Sequence, residues 1–127
     1  MSLDTHALVW HLEGNPALSP AVAEIFASAE SQFVIPTMVL VEIWYLYQRK
    51  RIQSSISEVR AKILSAMNCS VYPLDDAVLQ SLPDGLDIHD AIIVATAKVY
   101  RDFLKLPVRL ITRDSEIARS LAIEVLW

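Results

Sequence analysis

Phe33-Val34-Ile35-Pro36-Thr37-Met38-Val39-Leu40-Val41-Glu42-Ile43-Trp44 is the stretch that decides the fold class. Phe33-Val34-Ile35 is a short apolar run closed by a proline, which cannot donate to a strand ladder, and it predicts a short buried strand. Thr37 reads as the cap of a helix running through Tyr47 to about Ile52. Between Met38 and Tyr47 the single non-apolar residue is Glu42. A helix apolar nearly all round is expected to be largely buried, and a buried glutamate without a partner is rare. A buried strand feeding an apolar helix is one step of a parallel sheet covered on both faces.

The same alternation extends outward. Upstream, a very short strand ends at Asp4, and Thr5 to Leu12 continues with helical character until Gly14-Asn15-Pro16 breaks it. Ser19 then caps a helix with Pro20 at its first position, running to about Glu30. Downstream, Ser55-Ile56-Ser57-Glu58 has the capping-box pattern and opens a helix to about Met67. Ser70 to Tyr72 reads as a strand, and Asp75 or Asp76 caps a short helix ending near Leu82. After the Pro83-Asp84-Gly85 loop, Asp87 to about Phe103 is a helix. Arg109 to Thr112 is a strand, Ser115 to Ser120 a short helix, and Ile123 to Leu126 a closing strand. The opening strand is unusually truncated, and Met1-Ser2 fits a start that replaces native residues. No repeat, linker or low-complexity stretch interrupts the chain, so one α/β domain over residues 1–127 is expected.

Composition removes several function classes. With two glycines, Gly14 and Gly85, the chain cannot build a glycine-rich phosphate loop. A lone Cys69 excludes an intrachain disulfide and a cysteine-based zinc site, and fits a reducing, cytoplasmic setting. The apolar runs are far shorter than the roughly 18 to 20 residues that span a bilayer, and no secretory signal opens the chain. A net charge of −4 argues against a general nucleic-acid binder. The charge is uneven, however: residues 1–48 hold no Lys or Arg, and the densest basic run is Arg49-Lys50-Arg51. That run is a candidate for phosphate contacts, and it also suits the end of a helix dipole.

Four carboxylates stand against apolar sequence: Asp4, Glu42, Asp90 and Asp114. An ionised carboxylate facing apolar surroundings is costly unless a positive charge compensates it. Four that converge would repel one another, and a divalent cation relieves the repulsion. Asp4 and Asp114 directly follow strands, and Glu42 and Asp90 lie near helix starts that follow strands. All four therefore belong at the carboxyl edge of the sheet, where open parallel sheets form sites. There is a plainer reading for three of them. Asp4 and Asp114 could simply cap helices, and Asp90 could be a first-turn acid favoured by the dipole.

Asp4-x-His6 and Asp87-x-His89-Asp90 could be ligand pairs for zinc or manganese, although a lone histidine near a helix start is more often structural. His89-Asp90 is similar to the pair of HD-type phosphohydrolases, which need further histidines on a mostly helical fold. Haloacid-dehalogenase hydrolases want an aspartate where His6 stands. No Gly-x-Ser-x-Gly elbow exists, and Cys69 has no histidine nearby in sequence. Trp44, Tyr45 and Tyr47 read as core or dimer contacts ahead of base stacking.

Four stretches together resemble the PIN-domain ribonucleases, most closely the VapC-type toxins of toxin–antitoxin pairs. They are Leu3-Asp4-Thr5-His6-Ala7-Leu8; Ile35 to Ile43; Asp87-Ile88-His89-Asp90-Ala91 continuing to Ala97; and Leu110-Ile111-Thr112-Arg113-Asp114. They occur in the family's order across nearly the whole chain. The resemblance implies a PIN-like three-layer α/β/α sandwich with a central, mostly parallel sheet. It implies an acidic quartet of Asp4, Glu42, Asp90 and Asp114, with Asp4, Asp90 and Asp114 as metal ligands. Thr112 matches a hydroxyl residue beside the last acid, Asp87 an outer acid, and Thr37 a position often held by serine near the site. The implied activity is Mg²⁺- or Mn²⁺-dependent hydrolysis of RNA phosphodiester bonds. A VapB-like antitoxin and a homodimer are the implied partners. Two rivals stay open: a hydrolase of small phosphoesters, and a non-catalytic module whose acids receive a partner's Arg or Lys.

Overall fold

The computed structural model describes residues 1–127. Five parallel strands form one sheet in the order β3-β2-β1-β4-β5, where β1 is Ser2–Leu3, β2 Phe33–Pro36, β3 Cys69–Tyr72, β4 Leu110–Ile111 and β5 Val125–Leu126. Seven helices connect them: α1 (Thr5–Glu13), α2 (Pro20–Ala27), α3 (Thr37–Gln48), α4 (Ile56–Ser65), α5 (Asp76–Gln80), α6 (Ile88–Asp102) and α7 (Ser115–Ser120). This is the α/β sandwich expected from the alternation. No helix is long and apolar enough to cross a membrane.

The truncated opening strand is fully integrated. Ser2 stands in register with Val34 on one side and Leu110 on the other, and Leu3 with Ile111. Flanking bonds lengthen the ladder: the Val34 N–H donates to the Met1 carbonyl (2.8 Å), and the Asp4 N–H to the Ile111 carbonyl (3.2 Å). The chain moves from β1 outward to β3, then returns to β4 and β5 on the other side of β1. Strand order therefore reverses at β1, and a crevice opens beyond its carboxyl end. Helix α3 packs on α1, α4 and α6, and α5 on α6.

Leu3, Ile35, Val39, Ile43, Ile93, Leu110 and Ile111 form the centre of the core and are essentially solvent-free. Burying each such side chain contributes about 1.5–3 kcal/mol. A smaller cluster of Val78, Ile92, Ala95 and Val99 joins α5 to α6, and Met38 of α3 packs against it.

The local sequence explains where most helices stop, and in three places it corrects the sequence reading. Helix α2 ends at Ala27, short of Glu30, because the Ser28 hydroxyl accepts the Glu30 N–H (3.3 Å) and turns the backbone away. Helix α3 ends at Gln48, short of Ile52. There Lys50 takes a left-handed conformation (φ 56°), its N–H donating to the Tyr47 carbonyl and that of Arg51 to the Leu46 carbonyl. That pair of bonds is a Schellman ending with a lysine where glycine is preferred. Thr37 does not cap α3. Pro36 holds the cap position with no side-chain bond, and the Thr37 hydroxyl donates instead to the Tyr72 carbonyl (2.7 Å). It thereby ties the ends of β2 and β3 together.

Helix α3 is also less buried than its composition predicts. Val39 and Ile43 are buried, whereas Val41, Trp44, Tyr45 and Tyr47 are each 42–51% exposed. A helix apolar all round has, in this fold, only one face against the sheet. The outer face of α3 is an aromatic surface and not core.

Candidate active site

The side chains beyond the carboxyl ends of β1 and β4 are set by helix caps. Asp4 caps α1: its Oδ1 accepts the Ala7 N–H at 2.9 Å. Its Oδ2 accepts the hydroxyl of Thr112, which is buried at the end of β4. The same Thr112 oxygen accepts the Asp114 N–H (3.0 Å). Asp114 caps α7, accepting from Glu116 N (2.8 Å) and Ile117 N (3.1 Å). Asp87 caps α6 and accepts the Asp90 N–H (3.1 Å), which fixes the first turn that carries Asp90. Glu42 reaches in from α3, and the Thr5 hydroxyl donates to its Oε1 at 3.1 Å. Capping and convergence are therefore not alternatives here. A cap uses one lone pair of a carboxylate that has about four, leaving acceptor capacity on the open side.

All four members of the acidic quartet line one open cavity of about 760 Å³, together with Asp87, Glu116, Thr5, His6, Trp10, Ile93, Arg113 and Ser115. None is in an ion pair; the salt bridges of the fold join Arg101 to Asp102 and Arg109 to Glu124, both elsewhere. The electrostatic cost shows in the carboxyl groups. Burial pushes Asp90 up, and the charges of Asp87, Asp114, Glu42 and Asp4 add to the rise, to about 6. Asp4 is raised by burial, opposed by its bonds from Thr112 and Ala7. Glu42 is likewise raised by burial, opposed by the Thr5 bond and by His89 and His6. Acids raised in this way are costly to ionise together, and a cation would relieve that cost.

The donor chemistry suits a hard divalent cation, since the convergent ligands are carboxylate and hydroxyl oxygens. The side chains do not stand as a ready-made cage: no three acids or histidines converge to ligand distance. Such a pocket fits an ion that keeps part of its water shell, as Mg²⁺ does. Every other placement follows from topology. Both histidines are exposed; His6 lines the cavity and His89 does not. Thr37 is absent from the lining, being engaged with β3. Arg49, Lys50 and Arg51 lie past the C-terminal end of α3, roughly 10 Å along the helix from Glu42 at 1.5 Å per residue. Burial raises the Cys69 thiol, and no histidine bonds to it.

Sequence reasoning missed Thr5, Trp10, Arg113 and Glu116. Thr5 finds its partner 37 positions away. Trp10 and Glu116 read as ordinary helix residues. Arg113, between Thr112 and Asp114, carried a positional hint.

A family model described as PIN domain matches residues 1–120. No curated protein sequence matches the chain. Among solved structures, the chain is similar to VapBC2 from Rickettsia felis bound to a DNA fragment from their promoter. That likeness has a TM-score of 0.63 at 14% identity, covering 98% of this chain and 96% of that one. It is also similar to a toxin–antitoxin complex from Klebsiella pneumoniae, with a TM-score of 0.65 at 18% identity, covering 99% of this chain and 95% of the other. At these identities the likeness is one of fold.

Proposed function

This chain belongs to the PIN-domain family, and from that premise we propose that it is a metal-dependent endoribonuclease, the toxin of a VapBC-like toxin–antitoxin pair. The observation that carries this reading is the meeting of Asp4, Glu42, Asp90 and Asp114 in one cavity, none of them in an ion pair. Neither a structural role nor simple capping accounts for four carboxylates outside any ion pair, the charges of three of which help to push the fourth, Asp90, up.

Asp4, Asp90 and Asp114 would hold Mg²⁺ or Mn²⁺, directly or through water, with Asp87 as an outer acid. Bound there, the ion would acidify an attacking water and offset charge on the phosphate. Thr112, which donates to Oδ2 of Asp4, would hold that carboxylate in orientation for the ion. Thr5 would likewise hold Glu42 in orientation. Glu42 would orient the water and take its proton. Attack on phosphorus breaks the P–O3′ bond, leaving a 5′-phosphate and a 3′-hydroxyl. Arg49, Lys50 and Arg51 would contact more distant phosphates of the RNA. A VapB-like antitoxin would inhibit by seating a cationic side chain among the same acids, and the exposed aromatic face of α3 would join two copies.

The test is cleavage of RNA in Mg²⁺ or Mn²⁺ by the wild type and by Asp4→Asn, Glu42→Gln and Asp90→Asn. We expect each substitution to remove nearly all cleavage while the protein stays folded. Cleavage at wild-type rates by all three would end the proposal. Hydrolysis of a generic phosphoester without RNA cleavage would reassign the substrate.

A further inference from the structure

Trp10 and Ile93 are the two apolar residues that line the acidic cavity, and Arg113 is its one Lys or Arg. These features meet. The Arg113 guanidinium lies over the Trp10 ring, 5.8 Å from its centroid. It makes no salt bridge, although six acids line the same cavity. Two further rings contact it: His6, one helical turn earlier on α1, is tilted against it at 5.6 Å. Trp127, beyond β5, meets it edge-on at 5.6 Å. Trp10 is thus a half-buried aromatic plate, fixed in orientation at the wall of a cavity otherwise almost wholly polar.

A phosphodiester entering such a cavity meets six acids and needs cations to receive it. Arg113 is the cation the chain itself supplies there. Its present partner is a π face at the outer limit of useful distance, an interaction readily exchanged for a charge-assisted phosphate contact. When the guanidinium leaves the ring, it uncovers a flat surface of the right chemistry for a nucleobase.

Building on the nuclease reading above, we propose that Trp10 and Arg113 form the subsite for the nucleotide beside the scissile phosphate. Trp10 stacks that nucleotide's base and Arg113 binds its phosphate. Stacking on a side chain requires a base free of its helix, so the substrate class is RNA unpaired at this position. Because Trp127 and His6 already hold the ring, little side-chain freedom is lost on binding.

The experiment pairs a protein change with a substrate change. After the cleaved bond of a short single-stranded RNA is mapped in Mn²⁺, the nucleotides flanking it are made abasic one at a time. Against the wild type, removal of the stacked base is expected to raise KM by about 10- to 100-fold, the worth of one base–aromatic contact. Trp10→Leu, which keeps apolar volume on the core side, is expected to raise KM by the same factor with kcat unchanged. Trp10→Phe should recover most of the loss, and the abasic substitution should cost Trp10→Leu nothing further. Arg113→Ala should lower the salt slope of binding by about one. The proposal is overturned if Trp10→Leu leaves KM unchanged. It is overturned equally if the abasic penalty is as large in Trp10→Leu as in the wild type, or if a fully paired RNA is cleaved as well as the unpaired one. Absence of all cleavage and binding by the wild type would instead bring down the nuclease reading itself.

Discussion

The Thr112 hydroxyl, buried at the end of β4, donates to Oδ2 of Asp4 at the end of β1. It couples residues 108 positions apart, and the same oxygen accepts the Asp114 N–H. Partners that orient a ligand carboxylate typically matter by 10–100-fold in metal affinity or activity. Thr112→Val keeps the shape and removes the donor. We expect Mn²⁺ affinity, measured by titration calorimetry, to fall by about that factor, and Thr112→Ser to retain most of it. An unchanged affinity in Thr112→Val would show that Asp4 needs no such support.

Stability should depend on pH in a direction unusual for carboxylates. In the folded state Asp90 holds its proton up to about 6, against 3.8 for the free side chain, and Asp4 and Glu42 are shifted the same way. Between those values the folded protein binds more protons than the unfolded chain, so stability falls as pH rises. This contribution is fully present below 3.8 and lost by the time pH passes about 6. The metal-free protein is expected to lose melting temperature between these values, and Asp90→Asn to flatten the slope. Saturating Mg²⁺ should restore the loss above pH 6 by binding only the folded state. A slope identical in wild type and Asp90→Asn would contradict the assignment.

Lys50 offers a separation of stability from RNA binding. Its left-handed backbone costs about 1 kcal/mol relative to glycine. Lys50→Gly should therefore raise the unfolding free energy by about that amount in urea melts. The same substitution removes a cation of the basic run, so RNA affinity should drop modestly and with reduced salt dependence. A stabilised variant with unaltered RNA binding would exclude Lys50 from the phosphate contacts.

Val41, Trp44 and Tyr45 lie on one side of α3, exposed by 49%, 51% and 49%. If two copies pack through this face, Trp44→Glu buries a charge there and should yield a monomer by light scattering, with the helical circular dichroism unchanged. A wild type that is already monomeric at high concentration would place the face in another role.

The Ser2 hydroxyl is the buried side-chain polar atom of the fold that lacks a partner. Ser2→Ala should stabilise by about 1 kcal/mol, because it deletes a desolvated group while the backbone ladder of β1 stays intact. A lower melting temperature would mean that the hydroxyl bonds to an ordered water.

Much of this arrangement was legible along the chain, because the signals were local. Ser19, Ser55, Asp75 and Asp87 act as caps, and each bonds an N–H three residues on. A cap is written within one turn of sequence, as is a proline that closes a strand. The placement of acids after strands likewise put Asp4 and Asp114 at the carboxyl edge, since parallel topology sends every such position to one side of the sheet.

What the sequence could not fix was whatever depends on which face a residue shows to distant neighbours. Apolar composition predicted a buried α3, but a helix lying on a sheet has one inner face, and the fold left Trp44 outside. Thr37 looked like a cap until β3, drawn alongside β2, offered the Tyr72 carbonyl. Trp10 gained its meaning only when β4 and β5 brought Arg113 and Trp127 around it. Sequence by itself determined the order of elements and the chemistry available, because propensities and caps act over a few residues. Tertiary structure alone decided which of those groups share a cavity, because that is set by strand order, and strand order is settled by long-range packing.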